Sequence, residues 1–228
     1  MNNSQSIVLA ATHERYDVIE QMLGEFGLSV LRLKRKEELT LELLDEMKPD
    51  WVFFPHWSWN ISSEVFEKFR CVIFHMTDLP YGRGGSPLQN LIVNGHQQTK
   101  ITALQCVSEI DGGPIYLKRP LSLLGTAEEI LTCAAKLIAE MIMEIVSTSI
   151  EPIPQAGEPT YFKRRTPADG DVRVLSDLGQ LYDFIRMLDG EGYPPAFLET
   201  EHFRLEFSRA SLRPDCVQAE VKITRKNA

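Results

Sequence analysis

A chain of 228 residues, 43% hydrophobic and 25% charged, carries enough apolar material for one ordinary domain, or one plus a small appendage, which excludes bulk disorder. Its net charge of −8 excludes a uniformly basic surface, so nucleic acid is not expected as the main partner. Four widely spaced cysteines with no Cys-x-x-Cys pair exclude a zinc ribbon or disulfide framework and fit a reducing compartment.

The opening stretch from Met1 to Gln5 lacks a basic segment, and the apolar run Ile7 to Ala11 is short for a signal peptide. No run approaches the roughly 20 apolar residues that span a membrane. A soluble, cytoplasmic protein without membrane contact is expected.

Ile7 to Ala11 reads as a strand buried on both faces. Tyr16, Ile19, Met22, Leu23 and Phe26 follow at helical spacing, and Gly27 closes that helix. Leu28 to Leu33 predicts a second strand, and Leu39 to Met47 a second helix ending before Pro49. Trp51 to Phe54 is a third strand, Ser63 to Phe69 a helix capped by Ser62, and Cys71 to His75 a fourth strand. This alternation predicts a parallel, doubly wound α/β sheet, because parallel neighbours need intervening crossovers.

Beyond it, Pro80 to Pro87 is a Gly/Pro loop leading into a helix at Leu88 to Val93. Two strands, Thr99 to Val107 and Pro114 to Leu123, flank the bend Glu109-Ile110-Asp111-Gly112-Gly113. Thr126 caps a long helix with Glu128 and Glu129 in its first turn, where the helix dipole favours acids. The Pro-rich stretch Glu151 to Pro159 predicts a linker, dividing the chain into residues 1–150, 151–159 and 160–228. The last part is a small α+β appendage, with a helix at Leu178 to Leu188 and strands at Phe203 to Ala210 and Val217 to Ile223.

No Gly-x-Gly-x-x-Gly follows the first strand, where Ala10-Ala11-Thr12-His13 stands, so a dinucleotide site loses its main support. Ligands of open α/β sheets sit beyond the carboxyl ends of the strands. His56 and His75 fall there, and Asp111 lies in the later bend. An imidazole at such a strand end can exchange a proton near neutral pH, and a nearby carboxylate would fix its tautomer. Taken singly, each residue also has a structural reading, His75 in packing and Asp111 in forming a turn. His13, His96 and His202 lack comparable context, and no metal-ligand cluster stands out. Lys163-Arg164-Arg165 is a local basic cluster that could meet one phosphate, or simply a solvated loop.

The stretch from His75 to Gln89, with Leu79-Pro80, Arg83-Gly84 and Pro87, resembles the signature of the folate-dependent formyltransferases. Ile110-Asp111-Gly112-Gly113-Pro114 resembles that family's second motif, 36 residues on, and the likeness runs from about Ile7 to about Pro195. It implies a mostly parallel Rossmann-like sheet and transfer of a formyl group from 10-formyltetrahydrofolate, without metal, to a primary amine. His75 and Asp111 are the implied catalytic residues. The implied folate-binding residues are Phe54, Pro55, His56, Trp57, Ser58 and Ile110, with Tyr81, Gly84 and Gln89 bordering the acceptor. The family's catalytic asparagine is replaced by Ile73. Losing one such donor to the formyl oxygen costs on the order of 3 kcal/mol, and Asn60, Thr77, Gln89 or a backbone N–H are candidate substitutes.

The tail, Thr160 to Gly170 and Leu181 to Arg186, resembles that of the sugar N-formyltransferases. An amino sugar, nucleotide-linked and destined for a surface glycan, is therefore the expected acceptor. A methionyl-tRNA or other small-amine formyltransferase is the alternative, a non-catalytic folate- or sugar-binding relative the third reading. Homodimerisation, common among such relatives, is left open.

Overall fold

The computed structural model describes residues 5–148 and 150–226, so the sequence reading of Met1 to Ser4 lies outside the described residues. The chain divides into two compact units, each discontinuous in sequence. The first holds the residues up to Gly84, Lys100–Leu121 and Thr132–Tyr161; the second holds Gly85–Thr99, Ser122–Leu131 and the residues from Phe162 onward. Residues 151–159, expected as a linker, fall within the first unit.

The first unit is built on a mixed sheet. Strands β1 (Ser6–Ala10), β2 (Ser29–Leu33), β3 (Trp51–Phe54) and β4 (Cys71–His75) run parallel, and β6 (Gln98–Gln105), which follows the two-residue β5 (Arg83–Gly84), returns antiparallel to β4. With β7 (Ile115–Ser122) the six strands lie in the order β2-β1-β3-β4-β6-β7. The pairing of His75 with Thr102 marks the change of direction. It follows from the loop and short helix that succeed β4 in place of a crossover returning to a parallel neighbour.

Burial explains the apolar runs. Ile7, Val8, Leu9, Ala10 and Ala11 are fully inaccessible because β1 is an interior strand covered on both faces. Between the strands lie α1 (Asp17–Glu25), α2 (Leu41–Met47) and the single turn α3 (Ser63–Phe66). The first helix starts one residue after Tyr16, which ends a 3-10 turn spanning Glu14–Tyr16. Thr40 sets the start of α2 by accepting the Leu43 N–H at 3.2 Å, and Lys48 ends it in the left-handed region at φ 48°. Ser62 stands at the N-cap position of α3, but its hydroxyl makes no capping bond, and the helix is shorter than Ser63 to Phe69.

In the second unit, α4 (Pro87–Val93) is joined by a later antiparallel sheet and its helix. The helix α5 (Ala127–Ser147) begins here on a capping box. Glu129 N donates to Thr126 Oγ1 at 3.2 Å, and Thr126 N to Glu129 Oε2 at 2.8 Å. After the two-residue β8 (Tyr161–Phe162), α6 (Leu178–Arg186) is capped by Asp177. Buried Arg186 donates to the carbonyls of Leu123 and Gly125 at 2.6 and 2.9 Å, tying α6 to a segment more than sixty residues earlier. The sheet is β9 (Ala196–Glu199), β10 (Phe203–Leu212) and β11 (Val217–Arg225), with β10 central. The β9 strand, which begins directly after Pro194 and Pro195, is absent from the sequence reading.

Leu9→Ala should test the central strand: chemical denaturation is expected to show stability lowered by about 2–5 kcal/mol, the range for emptying a closed apolar site.

Candidate functional site

The residues that converge lie wholly in the first unit, at the carboxyl end of β4. Strand alternation places Cys71, Ile73 and His75 on one face. Ile73 packs against the apolar cluster around Val52, Phe54 and Cys71, while His75, 7% exposed, sits beyond that wall. Its Nε2 lies 2.8 Å from the Gly82 carbonyl oxygen. That oxygen can only accept, so Nε2 carries the hydrogen and Nδ1 is the nitrogen left to exchange a proton.

Nδ1 faces Asp111 Oδ2 at 3.5 Å. Asp111 is therefore brought to His75, as a general acid–base pair requires. The aspartate is held in the left-handed region at φ 49°, and its Oδ2 accepts the Gly84 N–H at 2.8 Å. Gly113 makes that turn feasible: a Cβ there would lie 1.9 Å from the Gln105 carbonyl oxygen, a contact no side chain tolerates.

Around the pair lies a polar frame that sequence reasoning missed. Buried Arg83 donates from Nη1 to Glu109 at 2.6 Å, and from Nε and Nη2 to Gln155 Oε1 at 3.3 and 2.9 Å. Gln155 Nε2 in turn donates to the carbonyls of Asp111 and Gly113, at 2.7 and 2.9 Å. Thr160 receives the Gly82 N–H on its hydroxyl at 2.8 Å. Nearby, Asp78 is held by Lys100 and Lys118; burial alone would raise its carboxyl, but the two ammonium groups bring it below the usual range. Only the Arg83 position, inside a glycine-flanked loop, offered a signal in advance. Glu109 and Gln155 sit in stretches whose composition spells turn or linker, Thr160 directly follows the latter, and Lys100 and Lys118 fall on expected strands.

The two buried thiols nearby are not competing nucleophiles. Burial, with Asp111 adding to it, pushes the Cys106 thiol up to about 11, and burial pushes Cys71 up as well.

The residues expected at a folate pocket are distributed as follows. Phe54 and Pro55 are buried. His56 stacks on Tyr16 with ring centres 6.2 Å apart. Trp57 packs edge-on to Phe54 and to Trp59, at 5.9 and 4.9 Å, and its buried indole Nε1 has no hydrogen-bond partner among the described residues. Ser58 is exposed, and Ile110 is 69% exposed.

Of the expected acceptor residues, Gly84 contributes its N–H to Asp111 and Tyr81 is half-buried beside it in the chain, whereas Gln89 is buried on α4 in the second unit. Among the candidate replacements for the missing amide, Asn60 is exposed, while buried Thr77 shares the Gly82 carbonyl with His75, donating from Oγ1 at 3.4 Å. No group of three or more metal-ligating side chains occurs among the described residues. Among the same residues, no helix is long and apolar enough to cross a membrane.

Known proteins resemble this chain throughout. A solved structure, methionyl-tRNA formyltransferase from Clostridium thermocellum, is 45% identical with a TM-score of 0.94, covering 97% of this chain and 100% of that one. The model of the methionyl-tRNA formyltransferase C-terminal domain matches residues 167–224. A curated methionyl-tRNA formyltransferase from Leifsonia xyli is 27% identical over 210 residues, 87% of this chain and 70% of that protein. One of the same name from Thermodesulfovibrio yellowstonii is 26% identical, and the matched region spans 67% of this chain and 52% of its length. A 4-N formyltransferase from Francisella tularensis is 14% identical with a TM-score of 0.66, covering 86% of this chain and 93% of that one, which shows the fold alone. The tail thus matches a methionyl-tRNA formyltransferase model, where a sugar N-formyltransferase tail was expected.

Gly113→Ala should displace the Asp111 turn. Thermal or chemical melts are expected to show a loss of roughly 1–3 kcal/mol, the cost of a strained backbone position.

Proposed function

This chain belongs to the folate-dependent formyltransferase family, and from that premise we propose that it transfers the formyl group of 10-formyltetrahydrofolate to the amine of methionyl-tRNA. The observation that carries the acceptor is the match of residues 167–224 to a methionyl-tRNA formyltransferase C-terminal domain, supported by the 45% identical structure of that name. An amino-sugar acceptor has no comparable support.

The residues present fit a folate. The Phe54–Trp59 loop is aromatic, and Trp57 Nε1 is a buried donor without a partner among the described residues, for which a pterin carries acceptors. Bound there, the co-substrate would supply an activated one-carbon acyl group. The protein's part is proton handling. The attacking amine sheds a proton as its nitrogen–carbon bond forms, and the departing nitrogen gains one as the old bond breaks. One group that accepts and returns a proton serves both events, and His75 Nδ1 is that group because Nε2 is committed to Gly82. Asp111 orients the ring and supplies the counter-charge while the proton is held.

A basic element is available for the nucleic acid despite the overall acidity. Lys163 and Arg164 are exposed and in no ion pair among the described residues. Their backbone is pinned, since Asn90 Nδ2 donates to Lys163 O at 3.0 Å and Arg165 N to Ser86 Oγ at 3.0 Å. Arg165 is spent on structure, its guanidinium 5.0 Å from the Phe184 ring centre. These two exposed cations suit phosphates of an acceptor strand.

With 10-formyltetrahydrofolate and methionyl-tRNA, formylation is expected, and His75→Ala and Asp111→Ala should each lower turnover about 10²–10⁴-fold. Formylation of nucleotide-linked amino sugars with methionyl-tRNA left untouched would overturn the acceptor; near-normal rates in either variant would overturn the roles. Replacing Lys163 and Arg164 together by Ala should weaken tRNA binding and reduce the slope of log affinity against log salt by about 2, read by filter binding across a salt series.

A further inference from the structure

We infer that Gln155 and Thr160 are positioning residues for the catalytic pair, so that the proline-rich stretch between them braces both His75 and Asp111. This rests on the formyl-transfer reading for its kinetic arm alone.

Gln155 uses its whole amide. Both Nε2 hydrogens go to carbonyls of the aspartate turn, Asp111 O at 2.7 Å and Gly113 O at 2.9 Å. Its Oε1 accepts from Arg83 Nε and Nη2, at 3.3 and 2.9 Å. A side chain in a mere tether would leave these groups to water. Here one amide joins the turn that carries Asp111, whose φ of 49° lies in the left-handed region, to the arginine of the loop that follows His75.

Thr160 does the equivalent for the histidine. Its N–H donates to Pro80 O at 3.2 Å, its carbonyl accepts the Arg83 N–H at 2.9 Å, and its hydroxyl accepts the Gly82 N–H at 2.8 Å. The C=O and N–H of a trans peptide point to opposite sides. Tying Arg83 N–H to Thr160 therefore turns Gly82 O the other way, to His75 Nε2 at 2.8 Å. That contact settles which imidazole nitrogen is left for the chemistry. One segment thus orients the acid–base group through Gly82 and its partner through the Asp111 carbonyl.

The experiment uses the full chain with near-isosteric changes. Gln155→Glu cannot donate to the two carbonyls, Thr160→Val removes the hydroxyl, and Thr160→Ser keeps it. Thermal melts identify folded variants, and Gln155→Met replaces Gln155→Glu if the latter does not fold. Two readouts are taken: steady-state formylation of methionyl-tRNA across pH, and long-range proton–nitrogen spectra of the His75 ring, assigned with His75→Gln.

Folded Gln155 variants and Thr160→Val are expected to lose turnover by up to about 10²-fold, as misplacement of a reacting group by an ångström does. The KM for 10-formyltetrahydrofolate should stay near wild type, with a displaced limb in the pH profile and altered His75 ring-nitrogen shifts. Thr160→Ser should restore the wild-type pattern. Wild-type turnover and spectra in Gln155→Glu and Thr160→Val, or lost turnover with unchanged His75 signals, would overturn the proposal. If the wild-type protein formylates nothing, the ring spectra still decide the positioning role, so failure of the functional reading is seen separately.

Discussion

The bond from His75 Nε2 to the Gly82 carbonyl, 2.8 Å long, is the constraint on which the site depends. It commits one ring nitrogen, directs the other at Asp111, and requires the loop after β4 to double back so that Gly82 meets a residue seven positions earlier. Gly82 can do this because its φ of 73° is open to glycine without cost. Asp78 reinforces the same loop from its other side, through Lys100 and Lys118 on β6 and β7. The sheet's change from parallel to antiparallel at β4 is part of this geometry, for it brings Thr102 opposite His75, where its hydroxyl donates to Thr77 O at 2.6 Å.

Ile73 and the two cysteines give the site an apolar floor. Cys71 and Cys106 sit across from one another, with Cys106 N donating to Cys71 O at 2.9 Å, and both thiols stay protonated at neutral pH because burial disfavours the thiolate. An apolar wall beneath an imidazole–carboxylate pair lowers the local dielectric and strengthens what the remaining polar groups do. It also means that β4 carries no side-chain amide beside His75.

Much of this was legible in the residues. The runs Ile7 to Ala11 and Trp51 to Phe54 became strands because an interior parallel strand must be apolar on both faces, whereas β2, at the sheet edge, is only partly buried. His75 and Asp111 were named as a pair, and they meet. The supporting shell was opaque for a physical reason: Gln155 and Thr160 act through bonds to backbone carbonyls and amides more than forty residues away, which leave no local pattern. The Pro-rich composition around Gln155 reports an extended chain, and an extended chain serves equally as a tether or as a brace. The tail misled by a different route. Its resemblance to the tail of the sugar N-formyltransferases suggested a sugar acceptor, yet residues 167–224 match the C-terminal domain of methionyl-tRNA formyltransferase.

The interleaving of the second unit bears on how such proteins diverge. Its sheet and α6 come from the end of the chain, but Arg186 bonds to Leu123 and Gly125, Glu128 N donates to Asp189 O, and Asn90 holds Lys163. A cut after Tyr161 would strip these partners from α4 and from residues 122–131. Exchange of tails therefore cannot be a clean graft at one junction: a new carboxyl-terminal module must also match residues 85–99 and 122–131, which belong to the same compact unit.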